Sequence, residues 1–216
     1  MKINIIKSAY DWVLKWAERP SANYALFIFA FAESSFFPVP PDVLLIPLVL
    51  GYRKKWIKLF LIVTVASALG GSFGYFIGHK LWWSGTVPLT MESINSSHFT
   101  GIANFFFNSI PGFSLELFKS MMVKYEHYGF WIVFTAGFTP IPYKVFTISS
   151  GAFNLNFYTF MFASVVSRGA RFFLVSFLIY RFGKPIKVFI DKYFNILALA
   201  FTILLIGGFL IIKSFT

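Results

Sequence analysis

The sequence predicts an all-α integral membrane protein, and three observations carry that prediction. Apolar residues make up 57% of the 216 and charged residues only 12%, whereas soluble domains carry about 25% charged residues. Residues 59–78 and 193–212 contain no charge, and about 20 apolar residues are what a helix needs to cross roughly 30 Å of hydrocarbon. Two further apolar stretches, 22–51 and 129–153, are interrupted at their middles by proline clusters. Together these exclude a water-soluble globule, a disordered chain and a coiled coil. The net charge of +11 does not argue for nucleic acid, because the basic residues gather at the ends of apolar runs, where they face lipid headgroups. With no cysteine, disulfides and thiolate metal sites are excluded.

In chain order, residues 1–20 place Lys7, Asp11, Lys15 and Glu18 on one stripe, with Ile6, Val13 and Trp16 elsewhere. That pattern predicts a helix lying in the membrane interface, and no cleavable signal is visible there. The first interrupted stretch breaks at Pro38, Pro40 and Pro41, and the second at Pro140 and Pro142. Proline has no amide hydrogen and clashes with the preceding turn, so no straight helix passes through either cluster. The arms at 43–51, 129–138 and 145–153 are only about 14–15 Å long at 1.5 Å per residue, too short to span. Each stretch therefore reads as a re-entrant helical hairpin followed by one transmembrane helix, at 56–81 and 156–180.

The two units, 22–81 and 128–184, flank a polar surface linker at 82–127, where Leu115, Phe118, Met122 and Tyr125 recur at helical spacing and predict short interfacial amphipathic helices. A C-terminal span occupies 192–213. One span separates the hairpins, so they enter from opposite faces, which makes an inverted repeat of the kind transporters use. Twelve Lys/Arg on the side bearing the N-terminus, against four on the other, predict a cytoplasmic N-terminus.

Five ionisable groups fall inside these apolar stretches: Glu33, Asp42, Lys144, Arg168 and Arg171. An Arg near the bilayer centre costs roughly 2.5–3.5 kcal/mol, so each calls for a reason. Arg168 and Arg171 are three apart and share one helix face. Two carboxylates against three cations leave one positive charge, which an anionic guest would neutralise; Arg168, Arg171, Lys144 and Asp42 are the candidate headgroup-binding residues. The short arms also aim helix N-termini at the membrane middle, a setting suited to phosphate, although Asp42 could serve there as an N-cap. Glu33, among Phe31, Phe36 and Phe37, is the better candidate for proton coupling, with Asp42 second, because desolvation disfavours the charged carboxylate. On this reading Arg168→Ala costs transport more than stability.

The string Glu33-Ser-Ser-Phe-Phe-Pro38-Val-Pro40-Pro41-Asp42, then Gly51, then Gly70-Gly-Ser-Phe-Gly74-Tyr75-Phe-Ile-Gly78 resembles the first half of the DedA family, also called SNARE-associated or VTT-domain proteins. Phe138-Thr-Pro140-Ile-Pro142-Tyr143-Lys144, Gly151 and Ser167-Arg168-Gly-Ala-Arg171-Phe172 resemble the second. The resemblance implies two opposed re-entrant hairpins in a bacterial inner membrane. It also implies movement of an anionic lipid between leaflets, undecaprenyl phosphate or a phospholipid, by a flippase or scramblase route with proton coupling. Glu33 and Asp42 match the family's two acidic positions and Lys144 the second hairpin's Arg. Phe138 stands where the family commonly has another Arg and Ser72 where an acid often follows the glycine pair; these departures look more like the YqaA-like branch. Arg168 and Arg171 could supply the charge missing at Phe138.

Two other function classes compete. A scaffold or chaperone would use the buried charges only to lock the hairpins. An intramembrane lipid-phosphate enzyme would need a nucleophile: Gly70-Gly-Ser72-Phe-Gly74 matches G-x-S-x-G, but that elbow requires a strand-to-helix turn and a His partner. His79, His98 and His127 have no metal-site spacing, so neither catalysis nor a cofactor is expected.

Overall fold

Proline chemistry sets the punctuation of the chain. The computed structural model describes residues 21–36, 40–88, 90–110, 113–139 and 141–183. The expected interfacial helix at 1–20, the C-terminal span at 192–213, and Pro38 and Pro140 lie outside these. The first helix, α1 (Ala22–Ser35), stops just ahead of the proline run, and α2 (Asp42–Gly51) begins immediately after Pro41, whose missing N–H is no loss at a helix start. A single 3₁₀ turn at Arg53–Lys55 leads into α3 (Trp56–Trp82). After the linker and a short α4 (Gly101–Ser109) come α5 (Leu115–Phe138), α6 (Tyr143–Ala152) and α7 (Phe157–Phe182). Among the described residues the only extended pairing is an isolated bridge between Trp83 and Phe99.

The helices α3 and α7, of 27 and 26 residues, are about 40 Å long, and both are long and apolar enough to cross a membrane. Down one side of α3 run Ile57, Leu61, Val65, Leu69, Phe73 and Phe76, each 47–55% exposed. That stripe is about 29 Å long, close to the thickness of a bilayer's hydrocarbon.

The two long helices run antiparallel. Trp56 stacks on Tyr180 with ring centroids 5.3 Å apart, Phe60 meets Phe173 edge-on at 5.7 Å, and Phe76 lies 5.5 Å from Phe157. The short helices are distributed between them by an exchange. Each first arm packs on its own unit's long helix, α1 on α3 and α5 on α7, whereas α2 reaches across to α7 and α6 to α3.

Both helix pairs turn back beside the middles of the long helices. At the end of α1, the Ser35 hydroxyl donates to the carbonyls of Phe31 (2.7 Å) and Gly70 (2.8 Å), and Gly70 is halfway along α3. The second pair turns at the same height, where Thr147 Oγ1 donates to the Ser34 carbonyl at 3.0 Å. From there α6 descends along α3 in backbone contact: a Cβ at Gly78 would overlap the Ile148 carbonyl, and one at Gly151 the Tyr75 carbonyl. It ends where Trp83 Nε1 donates to the Ala152 carbonyl (2.8 Å).

The linker differs from the sequence expectation in two ways. Residues 115–138 form one continuous helix rather than a short surface helix followed by a separate arm at 129. A lone glycine costs about 1 kcal/mol in a helix, and Gly129 lies directly under the Leu155 side chain, so the contact keeps the helix going. The spaced residues Phe118, Met122 and Tyr125 point inward, all at most 7% exposed. Phe118 and Met122 close a small aromatic core with Trp83, Phe99 and Ala103 at the end of α3.

Candidate functional site

All five ionisable groups singled out in the sequence lie at or near the two turns. Glu33 sits in the last turn of α1, Asp42 opens α2, Lys144 lies in the first turn of α6, and Arg168 and Arg171 project from the middle of α7. The folding logic is local. Prolines end the arms at mid-height, and the i, i+3 spacing on α7 sends both guanidinium groups toward those ends.

Arg168 is enclosed. Its Nη2 donates to Glu33 Oε2 at 2.6 Å and its Nε to Ser67 Oγ at 2.6 Å. The Ser67 and Ser34 hydroxyls are 2.6 Å apart, and Ser34 Oγ donates to Glu33 Oε2 at 3.1 Å. Since the Ser34 hydrogen goes to the carboxylate, the Ser67 hydrogen goes to Ser34, and the bonds close a one-way ring from guanidinium to carboxylate. The flat guanidinium is sandwiched between the rings of Tyr143 (4.8 Å) and Phe172 (4.5 Å), a cation–π geometry that strengthens when water is excluded. Tyr143 is itself fully buried and donates to Ser164 Oγ at 2.5 Å. Arg168 is 2% exposed, and such burial is tolerable only because its charge and hydrogens are matched.

Arg171 is held differently. Its Nη2 donates to Asp42 Oδ2 (2.6 Å) and its Nη1 to the Thr139 carbonyl (2.9 Å). One guanidinium thereby joins the turn of the first helix pair to the turn of the second. Arg171 Nε and Asp42 Oδ1 are both enclosed without a hydrogen-bond partner. Asp42 does not cap α2; its carboxylate faces Arg171 instead. Thr139 follows Phe138, so Arg171 delivers a cation beside the position where the sequence lacks one.

The two pairs, Glu33–Arg168 and Asp42–Arg171, account for two carboxylates and two cations. The third cation, Lys144, is partly buried and its side chain makes no ion pair or hydrogen bond among the described residues. It sits at a helix N-terminus that no side chain caps, where the helix dipole already disfavours a positive charge.

Of the turn prolines, Pro40, Pro41 and Pro142 flank the starts of α2 and α6, with Pro41 fully buried. Ser72, the centre of the G-x-S-x-G match, is inside α3, where its hydroxyl donates to the Ala68 carbonyl (3.0 Å) and contacts Met161 Sδ (2.8 Å); no strand-to-helix elbow exists there. Sequence reasoning missed Ser34, Ser67, Tyr143 and Phe172, which frame Arg168. A signal existed for the serines: hydroxyls at mid-depth in apolar helices have no water to bond and so mark a polar contact. None existed for the aromatic pair among 31 Phe and 10 Tyr.

Comparison with known proteins places this architecture. The VTT domain model matches residues 39–181. An uncharacterized protein of Haemophilus influenzae is 31% identical over 213 residues, covering 98% of this chain and all of that protein. The uncharacterized HI0703 homolog of Histophilus somni is 30% identical over 220 residues, again covering 98% of this chain and all of its own length. No solved structure matches the chain. Two long apolar helices, two proline-broken helix pairs meeting at their middles, and a family match from the start of α2 to the end of α7 lead to one conclusion: the chain belongs to the VTT-domain (DedA) family, generally membrane proteins linked to lipid transport.

Proposed function

We propose that this protein moves an anionic lipid, a polyisoprenyl phosphate such as undecaprenyl phosphate or a phospholipid, between the leaflets of the bacterial inner membrane. The helix pairs α1–α2 and α5–α6 act as re-entrant hairpins of an inverted repeat, with the N-terminus cytoplasmic. The antiparallel course of α3 and α7 and the exchange of the second arms support that topology, since two units related by a two-fold axis in the membrane plane pack in this reciprocal way.

The observation that carries the reading is the charge layer at mid-height, with three cations and two carboxylates, and with Lys144 unmatched among the described residues. A buried excess of cation is costly unless something negative visits it. Proton coupling falls to Glu33: a proton there weakens its hold on Arg168 and loosens the ring that ties α1 to α3 and α7, in a step separate from anion uptake. One observation favours the scaffold reading instead, namely that Arg168 is fully engaged by its own protein.

The test is reconstitution in liposomes with labelled polyisoprenyl phosphate and labelled phospholipid, following leaflet exchange for the unaltered protein, Glu33→Gln and Lys144→Gln. Transport in the first and its loss in both variants, with folding intact, supports the proposal. Inert vesicles in every case would favour the scaffold, and hydrolysis products the enzyme.

A further inference from the structure

The two ion pairs are built too differently to do the same job. Glu33–Arg168 is reinforced on several sides: Glu33 Oε2 accepts from Arg168 Nη2 and from Ser34, Arg168 Nε donates to Ser67, two aromatic rings lie against the guanidinium, and the side chains are 13% and 3% exposed for Glu33 and Arg168. Asp42–Arg171 is half-made. Like the other pair it has a single N–O contact, but here Nε and Oδ1 are left without partners, and the side chains are 18% and 14% exposed for Asp42 and Arg171. Guanidinium prefers to present two parallel N–H groups to an oxyanion, and here one edge is enclosed yet unpaired.

Helix dipoles reinforce the contrast. Glu33 lies in the last turn of α1, where the negative end of the helix opposes a carboxylate, so it depends on Arg168. Asp42 is the first residue of α2, where free amides stabilise a carboxylate even when its cation is withdrawn. Asp42 can therefore give up Arg171 at lower cost than Glu33 can give up Arg168.

Building on the lipid-transport reading, we propose that Arg171 receives the phosphate group by displacing Asp42, and that this exchange releases the latch between the two helix pairs. Arg171 holds the first turn through Asp42 and the second through the Thr139 carbonyl. Taking the place of the Asp42 carboxylate, a phosphate with one oxygen on Nη2 and another on Nε would pair the unsatisfied edge, keep the grip on Thr139 and free α2. The Glu33–Arg168 ring stays closed throughout this step and holds α1 to α3 and α7.

The experiment measures binding of dioleoyl phosphatidate, of dioleoyl phosphatidylcholine and of inorganic phosphate by native mass spectrometry, for the full chain and for Asp42→Asn, Arg171→Gln and Glu33→Gln. Removing the competing carboxylate in Asp42→Asn is expected to tighten phosphatidate binding about threefold or more, and Arg171→Gln to weaken it about tenfold, with Glu33→Gln within about twofold of the unaltered protein. The chain has no cysteine, so spin labels at Val43→Cys on α2 and Trp131→Cys on α5, both well exposed, report the latch. Phosphatidate and Asp42→Asn are each expected to broaden the distance distribution between them. Tighter binding in Glu33→Gln but not in Asp42→Asn, or an unmoved distance in both cases, overturns the assignment while leaving lipid transport standing. No preference for phosphatidate over phosphatidylcholine in the unaltered protein overturns the lipid reading itself, and inorganic phosphate bound as tightly as phosphatidate would identify a free anion as the ligand.

Discussion

Arg168 shows why a buried charge cannot be judged by its position alone. The sequence argues that removing it would cost transport more than stability, but the structure surrounds it with Glu33, Ser67, Tyr143 and Phe172. Arg168→Ala leaves a void between two rings and a carboxylate without its cation, and breaking one side of a buried pair costs about 3–5 kcal/mol. Chemical unfolding in detergent should show that loss. The double variant Glu33→Gln/Arg168→Met should recover most of it, because uncharged replacement of both partners removes the orphaned charge. Tyr143→Phe tests a smaller element of the same site: without the hydroxyl, Ser164 loses its donor, and a loss of about 1–2 kcal/mol is expected in the same unfolding measurement. Equal stability of Arg168→Ala and the double variant would show that the pair contributes nothing.

Elements are placed by the contacts between helices α3 and α6, where backbone meets backbone. At Gly151 even one methyl group would collide with the Tyr75 carbonyl, whereas Gly51, at the end of α2, has open space around its Cα. Gly151→Ala should cost about 1–3 kcal/mol, the penalty for overpacking, and displace α6 from α3. Gly51→Ala should be neutral or stabilising by up to about 1 kcal/mol. Thermal melting of the two variants side by side distinguishes a packing requirement from a general intolerance of alanine, since both exchange the same atoms.

For the molecule as a whole, the antiparallel α3 and α7 make a sidedness prediction. Lys54, just before α3, and Gly85, just after it, are both exposed and sit at opposite ends of a helix about 40 Å long. In right-side-out cells, a membrane-impermeant maleimide should label Gly85→Cys and leave Lys54→Cys unmodified, as the twelve-to-four distribution of basic residues requires. Labelling of both at equal rates would place α3 along the membrane rather than across it. The outward stripe from Ile57 to Phe76 should in turn give spin labels more accessible to oxygen than to a water-soluble nickel chelate.

Much of this architecture is written in local chemistry. Pro40, Pro41 and Pro142 sit in proline clusters that no helix runs through, although the lone Pro47 is carried inside α2; an uncharged run from 59 to 78 is long enough to span whatever surrounds it, and a charge at 168 or 171 demands a partner, so the helix ends, the two long helices and the membership of the charged layer follow from the residues themselves. Which cation meets which carboxylate does not. Glu33 and Asp42 lie nine positions apart, and Arg168 and Arg171 three, so four groups admit two pairings, and only the packing of α2 across α7 and of α1 along α3 decides between them. The same holds for Lys144, which meets no carboxylate among the described residues because the other four groups are directed to one another, and for the linker, where a side chain from Leu155 rests on Gly129 within one continuous helix. Composition and periodicity act over a few turns of chain, whereas the ion pairs depend on groups more than a hundred residues apart reaching one depth.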